Sequence, residues 1–318
     1  MINDMIIKRL YNSLNYRFWN LIHWHFPFHW AKHIYRQELG KTVDFSNPRD
    51  LNDKIQWLEF FTDTTLWSRL ADKYRVRQYV VERMGDDDIL IPLLGKWNTA
   101  EEIDFDALPD KFVIKPNNGS YDCVIVTDKY NYDLEAIRKK MDKSLHTKFG
   151  LGNAEPHYLR ITPCIIAEQH LETSSPLGLI DYKIWCFNGK AFLIFVCLNR
   201  DNVTHHASFM TYDLEWNRHP EFISDSFKSD ASCPRPLNLE RMIEIAETLS
   251  QGLPQCRVDL YNIEGKIYFG EMTLTSNYGM MPYFTQEVLD KMGELCHLPI
   301  PSRTESFKCF LRRYIPYF

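Results

Sequence analysis

The chain has 318 residues, of which 45% are hydrophobic, and this is enough apolar sequence to form a core in one large domain or in two or three closely packed ones. Such a composition excludes a disordered or fibrous protein. The formal net charge of -5 also argues against a nucleic-acid-binding protein, which normally has a basic balance, so a polyanionic partner would have to be bound locally.

The N-terminal segment, residues 1–46, combines aromatic and basic residues. Cations such as Lys8 and Arg9 interrupt its apolar stretches before they reach the roughly 20 residues of a membrane span, so we predict no transmembrane helix. This combination of residues is suited to binding an anionic membrane surface or a partner protein. It is also compatible with a pair of helices that packs on the main domain, with a break at Pro27. The C-terminal tail, residues 301–318, has the same character, and the sequence leaves both interpretations open.

The rest of the chain combines helical and strand-like patterns in an order that predicts an α+β fold. Residues 47–85 have the periodicity of helices, with Ile55, Leu58 and Phe61 on one face. Further helices are expected at residues 133–145 and 239–250, and strands at residues 89–94, 111–115, 123–127, 164–168, 182–187, 191–198, 208–212, 256–261 and 266–272.

This order divides the chain into five parts. They are the aromatic and basic segment (1–46), a helical region (47–110), a small sheet subdomain (111–166), a larger antiparallel sheet subdomain (167–300) and the basic and aromatic tail (301–318). Within the larger sheet, Asn188-Gly189 and Glu264-Gly265 predict tight turns that join consecutive strands.

Eight cysteines are dispersed along the chain without a CxxC pair. Several of them lie in apolar runs, such as Cys186 between Trp185 and Phe187. This pattern favours reduced, packed thiols over disulfides, and therefore predicts a cytoplasmic protein.

The first group of residues with chemical significance follows the strand that ends at Lys115. The segment Pro116-Asn117-Asn118-Gly119-Ser120 predicts a small polar turn, and the next strand returns from it. A lysine at a strand end beside such a turn can contact phosphate oxygens while backbone N–H groups close over them. An ordinary surface hairpin has the same pattern.

The second group combines Arg257 and Asp259 with Glu271, twelve residues after Asp259, on strands joined by the Gly265 turn. In a hairpin of this length the two carboxylates reach one face, where hard oxygen ligands suit Mg²⁺. A solvated face is the alternative. Apolar neighbours on both strands favour burial with a partner instead.

A third segment lies between these two groups, where an apolar strand ends in Glu168-Gln169-His170-Leu171. The backbone and the Glu168 side chain at such a strand end can hydrogen-bond an adenine edge and a ribose hydroxyl. Considered alone, the segment is also compatible with an ordinary strand exit.

Taken in order, Asp72-Lys73, the Lys115 segment, the Glu168 segment, Arg257-Val258-Asp259 and Glu271 resemble the series of D-alanine:D-alanine ligases and other ATP-grasp proteins. The sequence is more similar still to the TupA-like branch, which is associated with teichuronopeptide and other surface polysaccharide synthesis. The residues that carry this likeness, between about residue 38 and residue 285, are Asn47-Pro48, Asn52-Asp53-Lys54-Ile55-Gln56-Trp57-Leu58, the run from Ala71 to Val80, Asp181-Tyr182-Lys183 and the run from Tyr212 to Asn217.

The resemblance implies an ATP-grasp fold and a nucleotide site. Lys73 and Lys115 would hold the α and β phosphates. The turn residues Asn118, Gly119 and Ser120 would cover the nucleotide.

The adenine and ribose would be contacted by a second set of residues, namely Glu168, His170 and Leu171. The element that begins at Asp181 resembles an Asp-x-Arg segment of peptide-adding relatives, so Lys183 would assist at the phosphates.

For catalysis, the resemblance implies that Asp259 and Glu271 hold magnesium and that Arg257 stabilises the transferring phosphoryl group. Thr273 stands where such ligases commonly have asparagine, and it is a poorer metal ligand.

The oxygen that Thr273 cannot supply as well as asparagine could come from a neighbouring residue. Thr275, Ser276 and Asn277 are the candidates.

Arg200 follows a strand on the expected active face, together with His205 and His206. These residues are candidates for binding an anionic acceptor. They are equally compatible with ordinary exposed loop residues.

The resemblance therefore implies a cytoplasmic ligase that depends on ATP and Mg²⁺ and joins an amino acid or amine to a carboxylate of a bacterial surface polysaccharide or its precursor. Contact with a polysaccharide-synthesis complex at the inner face of the membrane is part of this expectation. The alternatives are a glycosyltransferase, to which Asp86-Asp87-Asp88 would contribute, a sugar kinase, or a non-catalytic nucleotide-binding protein.

Overall fold

The computed structural model describes residues 25–120, 122–198 and 208–312, and these contain eight α-helices and nine strands. The helices are α1 (Pro27–Leu39), α2 (Leu51–Phe61), α3 (Thr65–Ala71), α4 (Arg75–Met84), α5 (Leu134–His146), α6 (Leu239–Ser250), α7 (Gln286–Leu295) and α8 (Arg303–Arg312). The strands are β1 (Leu93–Trp97), β2 (Phe112–Pro116), β3 (Val124–Val126), β4 (Ile165–Gln169), β5 (Asp181–Phe187), β6 (Lys190–Leu198), β7 (Ser208–Tyr212), β8 (Gln255–Ile263) and β9 (Lys266–Thr273).

The smaller sheet has four antiparallel strands in the order β1-β4-β2-β3. Successive side chains along each strand point to opposite faces of this sheet. Phe112, Ile114 and Ile165 are fully buried and form a core with Met141 of α5. The opposite face carries Lys115 and can contact another part of the molecule or a ligand.

The larger sheet has five antiparallel strands in the order β7-β6-β5-β8-β9. Ile184 and Val258 are fully buried and belong to the same core as Met242 and Ala246 of α6. Asn188 and Gly189 both have positive φ, which is the conformation that their tight turn between β5 and β6 requires.

Helices α2, α3, α4 and α7 add to the core of the larger sheet. Asp50 caps α2, since its side chain accepts a hydrogen bond from the Asp53 N–H at 2.9 Å. Lys54 of α2 donates to the Gly293 and Cys296 carbonyls at the end of α7. These contacts fix the helical region against the sheet that carries most of the predicted site residues.

The predicted α+β fold with a small sheet and a larger antiparallel sheet is confirmed. The strand expected at residues 89–94 is displaced, because β1 begins only at Leu93, after Pro92, which has no N–H for a sheet ladder. The five-part division stays a prediction. Strand pairing crosses two of its boundaries, since β1 pairs with β4, and β4 spans the predicted limit at residue 166.

All eight cysteines lie in the described part of the chain, where none forms a disulfide and only Cys123 is exposed. Among the residues that the structure describes, no helix combines the length and apolarity needed to cross a bilayer. Much of the N-terminal segment and the end of the C-terminal tail lie outside the described residues, and so does their predicted membrane or partner contact.

Candidate functional site

Polar side chains of three neighbouring strands meet on one face of the larger sheet. Lys183 of β5 pairs with Asp259 of β8, which pairs in turn with Glu271 of β9. Side chains two residues apart on a strand point to the same side. The face therefore carries six polar residues, namely Asp181, Lys183, Arg257, Asp259, Glu271 and Thr273.

Arg257 connects the carboxylates and the hydroxyl of this face. Its guanidinium donates two hydrogen bonds of 2.7 Å to Asp259, one of 3.1 Å to Glu271 Oε1 and one of 3.0 Å to Thr273 Oγ1. Lys183 donates to Asp259 Oδ2 at 2.5 Å. Asp259 is 2% exposed, and its charge is tolerated because these two cations compensate it.

Glu271 is the open carboxylate of the face, with a side chain that is 40% exposed. Desolvation opposes its ionisation, but Lys73, Arg257 and Lys183 outweigh that effect and lower the pKa of Glu271 to about 2. Glu271 is therefore ionised at neutral pH and accessible to a cation.

Lys115 and Glu168 form an ion pair on the smaller sheet. Lys115 Nζ lies 2.6 Å from Glu168 Oε2, and Nη1 of Arg77 on α4 lies 3.2 Å from Oε1. Although desolvation acts in the opposite direction, Glu168 raises the pKa of Lys115, which therefore stays charged. Arg77 was missed in the sequence analysis because its contact depends on how α4 packs beside β4.

Lys73 is hydrogen-bonded to the turn after β2, residues 117–120. Lys73 Nζ donates to the Gly119 carbonyl, and the Lys73 N–H donates to the Asn117 carbonyl at 3.0 Å. Asn117 is 1% exposed, and its side chain donates to Asp72 at 2.9 Å and accepts from the Cys164 N–H at 2.7 Å. Asn118 is buried beside it, whereas Ser120 is exposed.

Charged residues of the two sheets act on one another, and the region between them is here called the cleft. The pKa of Lys73 is lowered mainly by burial, and Glu271 and Glu168 act against that effect. Glu271 and Glu168 also influence Lys115. The predicted residues of the phosphate turn therefore interact electrostatically with those of the larger sheet, which makes this region the candidate site.

Two buried atoms in this region have no hydrogen-bond partner among the described residues. They are Nδ1 of His170, at the end of β4, and Oδ1 of Asp181, at the start of β5. Buried polar atoms are normally paired, so this pattern fits a site that a ligand completes. The adenine-side roles of Glu168, His170 and Leu171 stay predictions.

Magnesium fits the carboxylate end of the cleft through Glu271, which is ionised and partly exposed. Both oxygens of Asp259 already accept from Arg257, and Oδ2 also accepts from Lys183, so fewer lone pairs of Asp259 are left for a metal than of Glu271. In the described part of the chain, no three His, Cys, Asp or Glu side chains form a metal site by themselves. The donor set fits a metal shared with the phosphates of a nucleotide.

The residues considered as replacements for the weak ligand Thr273 all have hydrogen-bond partners, and one of these partners is Arg257 of the site. Thr275 donates to Glu155 at 2.5 Å, Ser276 accepts from Arg257 at 2.5 Å, and Asn277 donates to the Met280 carbonyl.

The proposed acceptor residues Arg200, His205 and His206 lie outside the described residues, so their roles stay predictions.

A family model described as TupA-like ATPgrasp matches residues 53–296, which include both sheets and the whole cleft. The chain belongs to the TupA-like ATP-grasp family. It is therefore an enzyme of the ATP-grasp type, and the predicted family resemblance is confirmed. No curated protein matches the sequence at a significant level.

Solved structures of ATP-grasp ligases show distant likeness to this TupA-like chain. D-alanine–D-alanine ligase from Bacillus anthracis is 15% identical with a TM-score of 0.45, over 80% of this chain and 70% of that one. L-amino acid ligase from Bacillus licheniformis is also 15% identical, with a TM-score of 0.47 over 78% and 55%. The ligase PsnB, solved with a minimal precursor, Mg and ADP, is 14% identical with a TM-score of 0.37 over 77% and 63%. The family match, and not these likenesses, identifies the chain.

Proposed function

We propose that this ATP-grasp enzyme is a carboxylate–amine ligase that uses ATP and Mg²⁺ and works through an acyl phosphate. The observation that carries the proposal is an ionised, partly exposed carboxylate, Glu271, within a group of cations. Arg257 donates to Glu271 at 3.1 Å, and the charges of Lys73, Lys115 and Lys183 interact with the same carboxylate. This charge arrangement suits a metal-bound triphosphate.

The chemistry requires activation, because a free carboxylate does not react with an amine at neutral pH. Transfer of the γ-phosphoryl group gives an acyl phosphate, and attack by the amine then expels phosphate and forms an amide. Magnesium, when bound, supplies positive charge at the phosphates. Lys73 and Lys115 bind and orient the nucleotide, while Arg257 and Lys183 stabilise the negative charge that moves with the phosphoryl group.

The proposed substrates are an amino acid or amine and a carboxylate on a bacterial cell-surface polysaccharide, such as a capsule, or on its precursor. Membership of the TupA-like family supports this class of substrate. Work in the cytoplasm, with contact to a polysaccharide-synthesis complex at the membrane, belongs to the same proposal.

The test is Mg²⁺-dependent release of ADP from ATP, screened with uronic-acid sugars and amino acids in pairs. Hydroxylamine in place of the amine would trap an acyl phosphate as a hydroxamate, which removes one unknown from the screen. We expect Lys115→Ala and Glu271→Ala to abolish turnover. Lys111→Ala and Glu264→Ala are the matched controls, because Lys111 and Glu264 are exposed residues of the same strand neighbourhoods and should leave turnover unchanged.

Other products would favour other functions. Phosphate found on a sugar hydroxyl would indicate a kinase, and tight MgATP binding without turnover for any pair would indicate a binding protein. The structure gives no support to the glycosyltransferase alternative, because Asp86, Asp87 and Asp88 are exposed and lie in a turn after the end of α4. Hydrolysis of a nucleotide sugar by the purified protein would support that alternative.

A further inference from the structure

The segment between α5 and β4, residues 147–163, is here called the strap. It is fixed to the helical region and is not a free loop. Trp30 of α1 donates to the Gly152 carbonyl at 2.6 Å, and buried His157 lies 3.0 Å from Glu59 of α2. Arg160 donates to the Thr64 carbonyl at 2.9 Å. Such contacts set the position of the strap relative to the cleft.

The strap folds back on itself at Gly150. Gly150 has a φ of +87°, and its carbonyl accepts from the Glu155 N–H at 2.8 Å. A Cβ at this position would lie 2.4 Å from the Glu155 carbonyl and 3.0 Å from Cβ of Tyr158. Only glycine permits this close return, which brings Phe149 and Tyr158 together with ring centroids 4.8 Å apart.

The strap contacts elements on both sides of the candidate site. Phe149 packs on Gly119 of the phosphate turn, where an added Cβ would lie 3.2 Å from the ring. On the other side, Glu155 of the strap accepts from Thr275, which follows β9, at 2.5 Å, and the charges of Glu271 and Arg257 act on Tyr158. The strap therefore contacts the phosphate turn and the segment after β9, on two sides of the expected position of the phosphates.

The Tyr158 hydroxyl is chemically suited to this position. Burial, together with the carboxylates of Glu155 and Glu271, raises the pKa of Tyr158 well above its usual value, so the phenol stays protonated and remains a donor. Glu155 is 3% exposed; its side chain accepts from Thr275, and its backbone carbonyl accepts from the Tyr158 N–H at 3.1 Å. Glu155 therefore anchors the strap to the segment after β9.

We propose that the strap is a third wall of the nucleotide site, in which Tyr158 donates a hydrogen bond to a phosphate oxygen and Phe149 holds the phosphate turn in place. This proposal rests on the nucleotide binding proposed above. It adds a phosphate-binding residue, and a positioning residue, that neither the motifs of the sequence nor the family match assigns.

The test is titration of the full chain with MgATP and with adenosine. Hydrogen bonds to charged groups contribute roughly 1.5–3 kcal/mol, so Tyr158→Phe should weaken MgATP binding by about tenfold or more and leave adenosine binding unchanged. Phe149→Leu should weaken MgATP binding as well. Tyr132→Phe is the matched control, because it also deletes one phenol hydroxyl, which donates to the Ile125 carbonyl away from the strap.

The outcomes are distinct. Wild-type chain that binds MgATP, with Tyr158→Phe within twofold of it, would overturn this inference and leave the proposed function standing. Equal losses for MgATP and adenosine would also overturn it, since they would indicate a structural role. Wild-type chain that binds no MgATP would remove the proposed function and this inference together. Melting curves of each variant check that the fold is retained.

Discussion

Glu155 is a carboxyl group whose environment opposes ionisation. It is buried, and desolvation is the main cause that raises its pKa from 4.5 to about 7, with Glu59 adding to the effect and His157 opposing it. Below about pH 4.5 the group is neutral in both the folded and the unfolded chain. As the pH rises to about 7, the unfolded chain releases the proton more readily, so the free energy of unfolding falls, and above 7 this contribution is constant.

In the wild-type chain this effect lowers the free energy of unfolding by about 3 kcal/mol between pH 4.5 and 7, and we expect Glu155→Gln to remove that decrease. Chemical denaturation of both proteins across this range measures the difference. An unchanged pH profile in the variant would show that Glu155 ionises normally in the folded chain.

Asp259 is the residue on which the buried charges of the larger sheet depend. Asp259→Asn would leave Arg257 without its two-bond partner, and removing one member of a buried ion pair costs about 3 kcal/mol or more. Denaturant titration should show this loss of stability together with loss of turnover. Asp225→Asn, which breaks the exposed pair with Lys228, should change neither quantity. A stable Asp259→Asn variant would contradict the buried network.

At the scale of elements, the packing of α7 against the start of α2 depends on one glycine. A Cβ on Gly293 would lie 2.0 Å from the Arg49 carbonyl, so backbone has to move. Alanine normally stabilises a helix by about 1 kcal/mol relative to glycine, but here we expect a net loss of about 1–3 kcal/mol. The melting temperature measures it, with Gly152→Ala as a control in open space. A more stable Gly293→Ala variant would refute the close contact.

The elements also show what the sequence could predict. The alternation of side chains along a strand is a local property, so the sequence correctly predicts that Asp259 and Glu271 lie on one face of the sheet. The turn at Asn188-Gly189 was also predicted correctly from its two residues. The salt bridge between Arg77 and Glu168 joins residues 91 apart, and it depends on packing that no local pattern encodes. The contacts of the strap with the helical region are equally distant in sequence, since Glu59 and His157 are 98 residues apart, and no local pattern predicts them.

At the scale of the whole molecule, the cleft lies between two separate cores. Lys115 belongs to the sheet that packs on α5, and Glu271 belongs to the sheet that packs on α6. A nucleotide held by both residues would connect the two cores. MgATP at 100 times its Kd should therefore stabilise the folded chain by about 2.7 kcal/mol. Thermal unfolding with and without MgATP measures this shift, and Lys115→Ala should show none. A shift retained in that variant would place the nucleotide elsewhere.

The distribution of sulfur has a practical consequence. Cys123 is the one exposed thiol among the eight cysteines, and its position is three residues after Ser120. A maleimide fluorophore added to the unmodified protein would thus attach at one place, beside the phosphate turn. Its emission would report nucleotide binding in real time. The rate at which the seven buried thiols are slowly labelled would measure how often the fold opens.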